Sequence, residues 1–303
     1  MKRFLISLTA LLLILCCGCT DAENETEPLI SGTDAVIDEL SPEETESHET
    51  TAPKKEIVLS PEKQAELKHF IPNDWAEGME ELINDMPTDF MFAIQTDTHF
   101  SVTSGKSVAN NLKALSHYIP LSFYANLGDY IKGYYQGETG KEENTPDKTM
   151  SSLKEITSRY LDDANCPVLV TFGNHDSNQL WCKNYGTANE QLTKSDHYEQ
   201  VISKLKAHNG ENMVNDGESN YYYMDFPADN VRVIMLNTTD GSYEDSFDSV
   251  SIIGDRQLEW FKTEALNTSA NVIIMCHIPL CNDFPQSSGS KPQNADNVRL
   301  AVE

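Results

Sequence analysis

The chain has 303 residues, of which 39% are hydrophobic, so it is long enough to bury a sizeable core as one large or two ordinary domains. This length excludes a mini-protein. Its 48 acidic residues outnumber 22 basic ones and give a formal net charge of −26. Because such an acidic surface repels phosphate backbones, the composition argues against nonspecific binding to nucleic acids.

The amino terminus has the pattern of a targeting segment. A basic start over residues 1–3 leads into an apolar run over 4–15, which is too short to span a bilayer as a mature helix. Residues 16–19 then read Cys-Cys-Gly-Cys, which resembles a bacterial lipobox with Cys19 as the acceptor. We therefore expect a lipoprotein signal peptide over 1–18 and a lipid on Cys19 that anchors the protein to the membrane outside the cytoplasm. The alternative is ordinary cleavage nearby and secretion.

The next segment is acidic and poor in aromatic residues. Residues 20–56 contain twelve acidic residues against two lysines, so they cannot bury enough apolar surface to offset their ordering entropy. We predict a disordered tether over 19–56 and a globular domain over 57–303. The spacing of the cysteines beyond the tether is irregular and predicts free, mostly buried thiols; they are Cys166, Cys182, Cys276 and Cys281.

In the globular part, apolar runs of strand length alternate with longer amphipathic stretches. The runs predict strands over 90–94, 123–127, 168–172, 221–226, 231–236 and 272–276. The amphipathic stretches predict helices over about 107–118, 149–163 and 255–266. This alternation predicts an α/β fold built in layers.

Four of the predicted strands are followed at once by residues that commonly bind metals. Asp97 and His99 follow the first strand, Asp129 the second, Asn174 the third, and His277 the last. Residues i and i+2 of an extended segment point the same way, so Asp97 and His99 can reach one ion together. Each residue alone is also typical of a turn, a helix cap or a buried strand end. Together, and at strand ends where α/β sheets bind ligands, they predict a metal site.

At this point the residues resemble the calcineurin-like metallophosphoesterase superfamily. The resemblance spans about residues 90–280 and depends on four motifs: Asp97-Thr98-His99, Gly128-Asp129, Gly173-Asn174-His175-Asp176, and His277. It implies a four-layer α-β-β-α sandwich that holds two divalent ions such as Mn, Fe or Zn. By family likeness, one ion would be held by Asp97, His99 and Asp129, and the other by Asp129, Asn174 and His277.

The resemblance also implies an activity, the hydrolysis of a phosphomonoester or phosphodiester. Two ions about 3.5–4 Å apart would activate a water that attacks phosphorus, while His175 would face the phosphoester as a catalytic residue. The substrate would be a phosphorylated small molecule or polymer. Two alternatives from other classes are a lipoprotein that keeps the fold as a metal-binding or ligand-binding module, and a metal-dependent hydrolase acting on another bond.

The sequence departs from the family pattern at two places. Some members have a carboxylate that orients the motif histidine, and Lys132 stands there instead. Lys132 would either lower the pKa of His175 or point into solvent, and the sequence favours neither. In addition, a Gly-His-x-His motif is missing after His277, and the apolar residues near 298–302 open a further helix or strand. We therefore expect a truncated domain with an incomplete metal site that is weakly active by itself.

The remaining polar residues of the globular part are assigned no chemistry. His117, His197 and His208 lie in polar contexts and are predicted to be surface residues. The polar segment 133–148 follows the second motif, so it is predicted to be a loop at the rim of the pocket.

Overall fold

The computed structural model describes residues 90–100, 116, 121–133, 141–142, 144–162, 164–187, 190–240, 251–281 and 291–303. The predicted signal peptide, the tether, His117 and all of the predicted 107–118 helix except Ser116 lie outside the described residues. The described part contains two β-sheets with helices, as predicted.

The first sheet is wholly parallel and has the strand order β1-β2-β3. Its strands are β1 (Phe92–Gln95), β2 (Phe123–Asn126) and β3 (Val168–Val170). Phe92 pairs with Phe123, and Tyr124 pairs with Val168. Because the strands are parallel, the turns that follow them all lie at one edge of the sheet. The segments that follow β1 and β2 stay side by side past this edge, since Phe100 forms an isolated parallel bridge with Ile131.

The second sheet is mixed and has the order β4-β5-β6-β7. Its strands are β4 (Met213–Asn215), β5 (Tyr222–Phe226), β6 (Val231–Met235) and β7 (Asn271–Met275). The first two pairings are antiparallel, whereas β6 and β7 run parallel with Val233 opposite Ile273. The carboxyl ends of β6 and β7 therefore lie at the same edge of the second sheet, and His277 follows β7 at that edge.

Six α-helices in the described part of the chain lie between β2 and β3, between β3 and β4, between β6 and β7, and after β7. They are α1 (Pro146–Leu161), α2 (Gln179–Tyr185), α3 (Lys194–His197), α4 (Ser203–Asn209), α5 (Asp255–Trp260) and α6 (Ala295–Val302). A π-helical turn over Tyr198–Ile202 connects α3 to α4, and another over Phe261–Ala265 follows α5. Short 3-10 turns cover Gly210–Asn212 and Pro227–Asp229. The predicted 255–266 helix is thus present, although its last turn is π-helical.

The start of α1 corrects one expectation. The segment 133–148 was predicted to be a loop, but residues 141–142 are helical and α1 begins at Pro146, three residues before the predicted start. Proline favours the first turn of a helix because its missing N–H has no intrahelical partner there. The described part of this segment is therefore partly helical.

The main hydrophobic core lies between the two sheets. Phe92 stacks on Phe123 of the first sheet with ring centroids 4.8 Å apart, and Phe123 lies 5.4 Å from Phe226 of the second. The hydroxyl of Tyr222 donates to the Val170 carbonyl and accepts from the Val170 N–H, at 3.0 and 2.8 Å. A second cluster packs α5 and its π-turn against β6, and the helix α1 packs into the first cluster. The two sheets and their helices confirm the α/β prediction, and the complete four-layer order stays a prediction.

The thiols agree with the expectation from cysteine spacing in their free state, but they are not mostly buried as expected. Each of the four cysteines in the described part of the chain is free. Cys182 is buried, and the other three are half-buried.

Candidate metal centre

The turns after β1, β2, β3 and β7 bring all the predicted site residues together. Ligand atoms of Asp97, Asp129 and His277 lie within 4.8 Å of one another, and so do those of His99, Asp129 and His175. The Nε2 atom of His277 is also 3.3 Å from the Oδ1 atom of Asn174, so Asn174 lies beside the first of these groups. Asp129 belongs to both groups, which is the position expected for a bridging ligand.

The donor set fits divalent metal ions. Carboxylate oxygens and imidazole nitrogens from several strand ends converge there, a mixture typical of sites for Mn, Fe or Zn. The grouping differs from the family-based ligand sets in one respect, because His175 stands beside His99 where Asp97 was expected. Asp97 nevertheless remains near, with its Oδ1 atom 3.9 Å from His99 Nε2. The assignment of ligands to individual ions stays a prediction.

Three of the converging residues have left-handed backbone conformations. The φ angles are 53° at Asp97, 44° at His99 and 50° at Asp129. Such conformations cost non-glycine residues about 1–3 kcal/mol each and cluster at functional sites. Here they are held by hydrogen bonds between the turns, because the Asp97 N–H donates to the Gly128 carbonyl and the His99 N–H to the Asp129 carbonyl, at 3.0 and 2.9 Å. The strain therefore belongs to a turn geometry that aims these side chains at one point.

His277 is oriented by the opposite sheet. Its Nδ1–H donates to the Leu127 carbonyl at 3.0 Å, which leaves Nε2 facing Asp129 Oδ2 at 3.5 Å. Metal-binding histidines commonly use one nitrogen in this way to orient the other. Burial alone would lower the pKa of His277, but the hydrogen bond and charge of Asp129 outweigh burial and raise that pKa to about 9. Burial likewise favours a higher pKa for Asp129, yet the neighbouring His277 and His175 bring the pKa of Asp129 below its ordinary value.

His175 is oriented by a backbone carbonyl. Its Nδ1–H donates to the carbonyl oxygen of Lys132 at 3.0 Å, and its Nε2 lies 3.8 Å from Asp129 Oδ2. The main chain of Lys132 therefore supplies the acceptor that the resemblance led us to expect from a side-chain carboxylate. Nearby, burial is the main cause that lowers the pKa of His99, and the ring of His175 adds to it.

Asp176 has a larger part in the site than the sequence indicated. Its fully buried carboxylate accepts hydrogen bonds from the N–H groups of Asp129 at 2.9 Å, Gly173 at 2.7 Å and Ile131 at 3.1 Å. Burial, together with the charge of Asp129, raises the pKa of Asp176 well above its ordinary value. The sequence signal was its place as the last residue of the third motif, which gave no hint of these contacts.

Asn126, the last residue of β2, also supports the turn that carries Asp129. Its Oδ1 atom accepts the Gly128 N–H at 2.9 Å, and its Nδ2 donates to the Tyr160 hydroxyl at 2.6 Å. An asparagine near the end of an apolar run is the sequence signal that could have identified it.

The expectation that His197 is a surface residue is wrong. Its side chain is fully buried, its Nε2–H donates to the Asp176 carbonyl at 2.8 Å, and its ring lies 4.5 Å from that of Phe172. Burial lowers its pKa to about 4. His197 begins an i, i+4, i+8 series with Val201 and Leu205, both fully buried, so helical periodicity could have predicted its burial. His208 is exposed, as expected.

Two glycines allow the turns of the site to approach closely. A Cβ atom on Gly133, which has a φ of +47°, would lie 1.8 Å from the carbonyl oxygen of His175. A Cβ atom on Gly173 would lie 2.1 Å from Asp129 Oδ1. The absence of a side chain at both positions is therefore a condition for the observed arrangement.

Comparisons with known proteins agree with this geometry. Residues 90–300 match the family model described as calcineurin-like phosphoesterase, and this match covers more than half of the chain. A search of curated proteins found no match. Among the described residues, the structure contains no helix both long and apolar enough to cross a membrane.

Proposed function

The chain belongs to the calcineurin-like phosphoesterase family, and we propose that it hydrolyses phosphomonoesters or phosphodiesters with two divalent metal ions. Family membership itself supports metal-dependent phosphoester hydrolysis. The observation that carries the two-ion proposal is the position of Asp129, which is shared by both groups of ligand atoms. One carboxylate between two such groups is the arrangement that a pair of ions requires.

The proposal gives each converging side chain a role. When bound, the ions would polarise a phosphoryl oxygen and lower the pKa of a water for attack on phosphorus. The residues proposed to hold them are Asp97, His99, Asp129, Asn174 and His277. The bound ions would also create the positive potential that an anionic substrate needs in a protein with a net charge of −26.

We assign proton donation to the leaving group to His175. Since its Nδ1–H is held by the Lys132 carbonyl at 3.0 Å, the ring cannot rotate freely and Nε2 stays directed at the site. A protonated Nε2 could then donate to the oxygen of the departing alcohol. His175 is half-buried, so part of the residue remains exposed.

The activity can be tested with 4-nitrophenyl phosphate and bis(4-nitrophenyl) phosphate. We expect protein depleted of metal with a chelator to be inactive and to regain turnover on addition of Mn²⁺. Metal analysis of the purified protein should give about two ions per chain. Failure to hydrolyse either ester with two ions bound would contradict the proposed activity, and a preference between the esters would assign the substrate class.

We further propose that the protein acts outside the cytoplasm as a lipoprotein anchored through Cys19. This proposal is supported by the basic start, the apolar run and the Cys-Cys-Gly-Cys sequence at residues 16–19. In detergent phase partitioning, the wild-type protein should enter the detergent phase and Cys19→Ala the aqueous phase. Cys17→Ala is the matched control, because it removes a neighbouring thiol and keeps the acceptor. Equal partitioning of Cys19→Ala and wild type would contradict lipid attachment at Cys19.

A further inference from the structure

We propose that Asp176 is a positioning residue that sets the place of the bridging carboxylate of Asp129. The inference rests on the proposed two-ion site and concerns how this chain builds that site. Asp176 itself does not belong to either group of ligand atoms.

The buried carboxylate of Asp176 joins two turns from neighbouring strands. Its Oδ2 atom accepts the N–H of Asp129, in the turn after β2, and the N–H of Gly173, in the turn after β3, at 2.9 and 2.7 Å. Its Oδ1 atom accepts the N–H of Ile131 at 3.1 Å. Both oxygens are therefore used to fix backbone on either side of the Asp129 side chain.

The contact between the two turns is reciprocal. While Asp176 accepts the backbone N–H of Asp129, the Asp129 Oδ1 atom accepts the backbone N–H of His175 at 2.8 Å. Each turn thus presents a carboxylate to the main chain of the other. This exchange holds Asp129 at a φ of 50°, a conformation that an aspartate does not favour by itself.

A role limited to filling the core would not explain these contacts. Placing a carboxylate in a fully buried position carries a large desolvation cost, which an apolar side chain of similar size would avoid. An apolar side chain, however, would leave three buried N–H groups without this acceptor. The geometry therefore indicates that the Asp176 carboxylate fixes the position of Asp129.

His197 holds Asp176 from the other side. Its Nε2–H donates to the Asp176 carbonyl at 2.8 Å, and its ring packs on Phe172 at 4.5 Å. A change at His197 should therefore displace Asp176 without altering its carboxylate. This gives a second, independent way to perturb the same contact.

The test compares Mn²⁺ affinity in the full chain by calorimetric titration. We expect Asp176→Asn to bind Mn²⁺ about 10–100-fold more weakly, because an amide presents N–H groups to donors that need an acceptor. Leu205→Ala is the control, since it removes buried apolar atoms in the core: its thermal midpoint should fall while its Mn²⁺ affinity stays at the wild-type value. The spin coupling between paired Mn²⁺ ions, measured by electron paramagnetic resonance, should weaken only in Asp176→Asn.

Wild-type affinity and spin coupling in folded Asp176→Asn would overturn the inference. If that variant does not fold, His197→Phe decides: a loss of affinity of about threefold or more supports the inference, and wild-type affinity overturns it. These outcomes are separate from the proposed activity, because they depend on Mn²⁺ binding and not on turnover. A wild-type protein that binds two ions but hydrolyses no phosphoester would contradict the activity alone.

Discussion

Replacement of Gly133 by alanine would place a methyl group 1.8 Å from the His175 carbonyl oxygen. Because real Cβ contacts closer than 3.0 Å are essentially never seen, the two turns must move apart by at least about 1.2 Å. Such a shift would displace His175, whose N–H donates to Asp129 and whose ring we propose to face the substrate. A misplacement of about 1 Å can lower a rate about 100-fold, so we expect kcat/KM of Gly133→Ala to fall by about that factor or more.

Gly210 provides a matched control for this substitution. It also has a positive φ, +76°, but a Cβ atom there meets no described atom within 4 Å. Gly210→Ala should therefore lose about 1–2 kcal/mol of unfolding free energy through backbone strain alone and keep wild-type kcat/KM. Hydrolysis of the two nitrophenyl esters with Mn²⁺ and unfolding in urea measure the two effects separately. If Gly133→Ala matched Gly210→Ala in both, the argument that close approach of the turns positions His175 would be refuted.

Three other predictions concern single side chains. Asp129→Asn should lower Mn²⁺ occupancy, and should lower turnover by several orders of magnitude, because it removes the charge common to both groups of ligands. Near-wild-type turnover in a folded variant would contradict the two-ion site. His175→Ala should keep its metal and lose about 10²–10⁴-fold in rate if His175 is the acid, whereas loss of metal would make it a ligand beside His99. The third prediction concerns pH: the folded-state pKa of His197, about 4, lies below its ordinary 6.5, so the unfolded state binds more protons between these values. The contribution of His197 to the free energy of unfolding is therefore fully present above about pH 6.5. As the pH falls toward 4, the free energy of unfolding should decrease by roughly 3 kcal/mol through this group. Urea unfolding of wild type and His197→Phe across this range should show the difference, and equal pH dependence in both would count against it.

The strands and the convergence of most candidate site residues could be predicted from the sequence, because both follow from short patterns. Apolar runs separated by amphipathic stretches marked all the described strands except β4, which has only three residues. The strand ends were less well placed: Phe172 was predicted to end a strand, but the pairing in β3 stops at Val170. Buried residues continue beyond the last paired residue of β3, and an apolar run in the sequence does not distinguish a buried residue from a paired one. Parallel pairing brings the residues after β1, β2 and β3 to one edge of the first sheet, which is why their convergence could be expected. The approach of His277, which follows β7 of the second sheet, does not follow from that pairing.

The supporting contacts could not be predicted in this way. The orientation of His175 depends on the carbonyl of Lys132, and every residue has a carbonyl, so the side chain at that position says nothing about it. The role of Asp176 likewise depends on the direction of three N–H groups in two irregular turns, for which no periodicity exists. The burial of His197 is different, since its helical spacing from Val201 and Leu205 indicated a buried position. Its polar neighbours in the sequence obscured that pattern.

The proposed metal ligands come from two separate sheets: Asp129 follows β2 of the first, and His277 follows β7 of the second. Ions held between them would act as a cross-link at one end of the core, and every bound ion would add to folding stability as well as to chemistry. By mass action, an ion at 100 times its dissociation constant stabilises a fold by about 2.7 kcal/mol. The supply of metal would then control how much folded protein exists, in addition to how fast each molecule works.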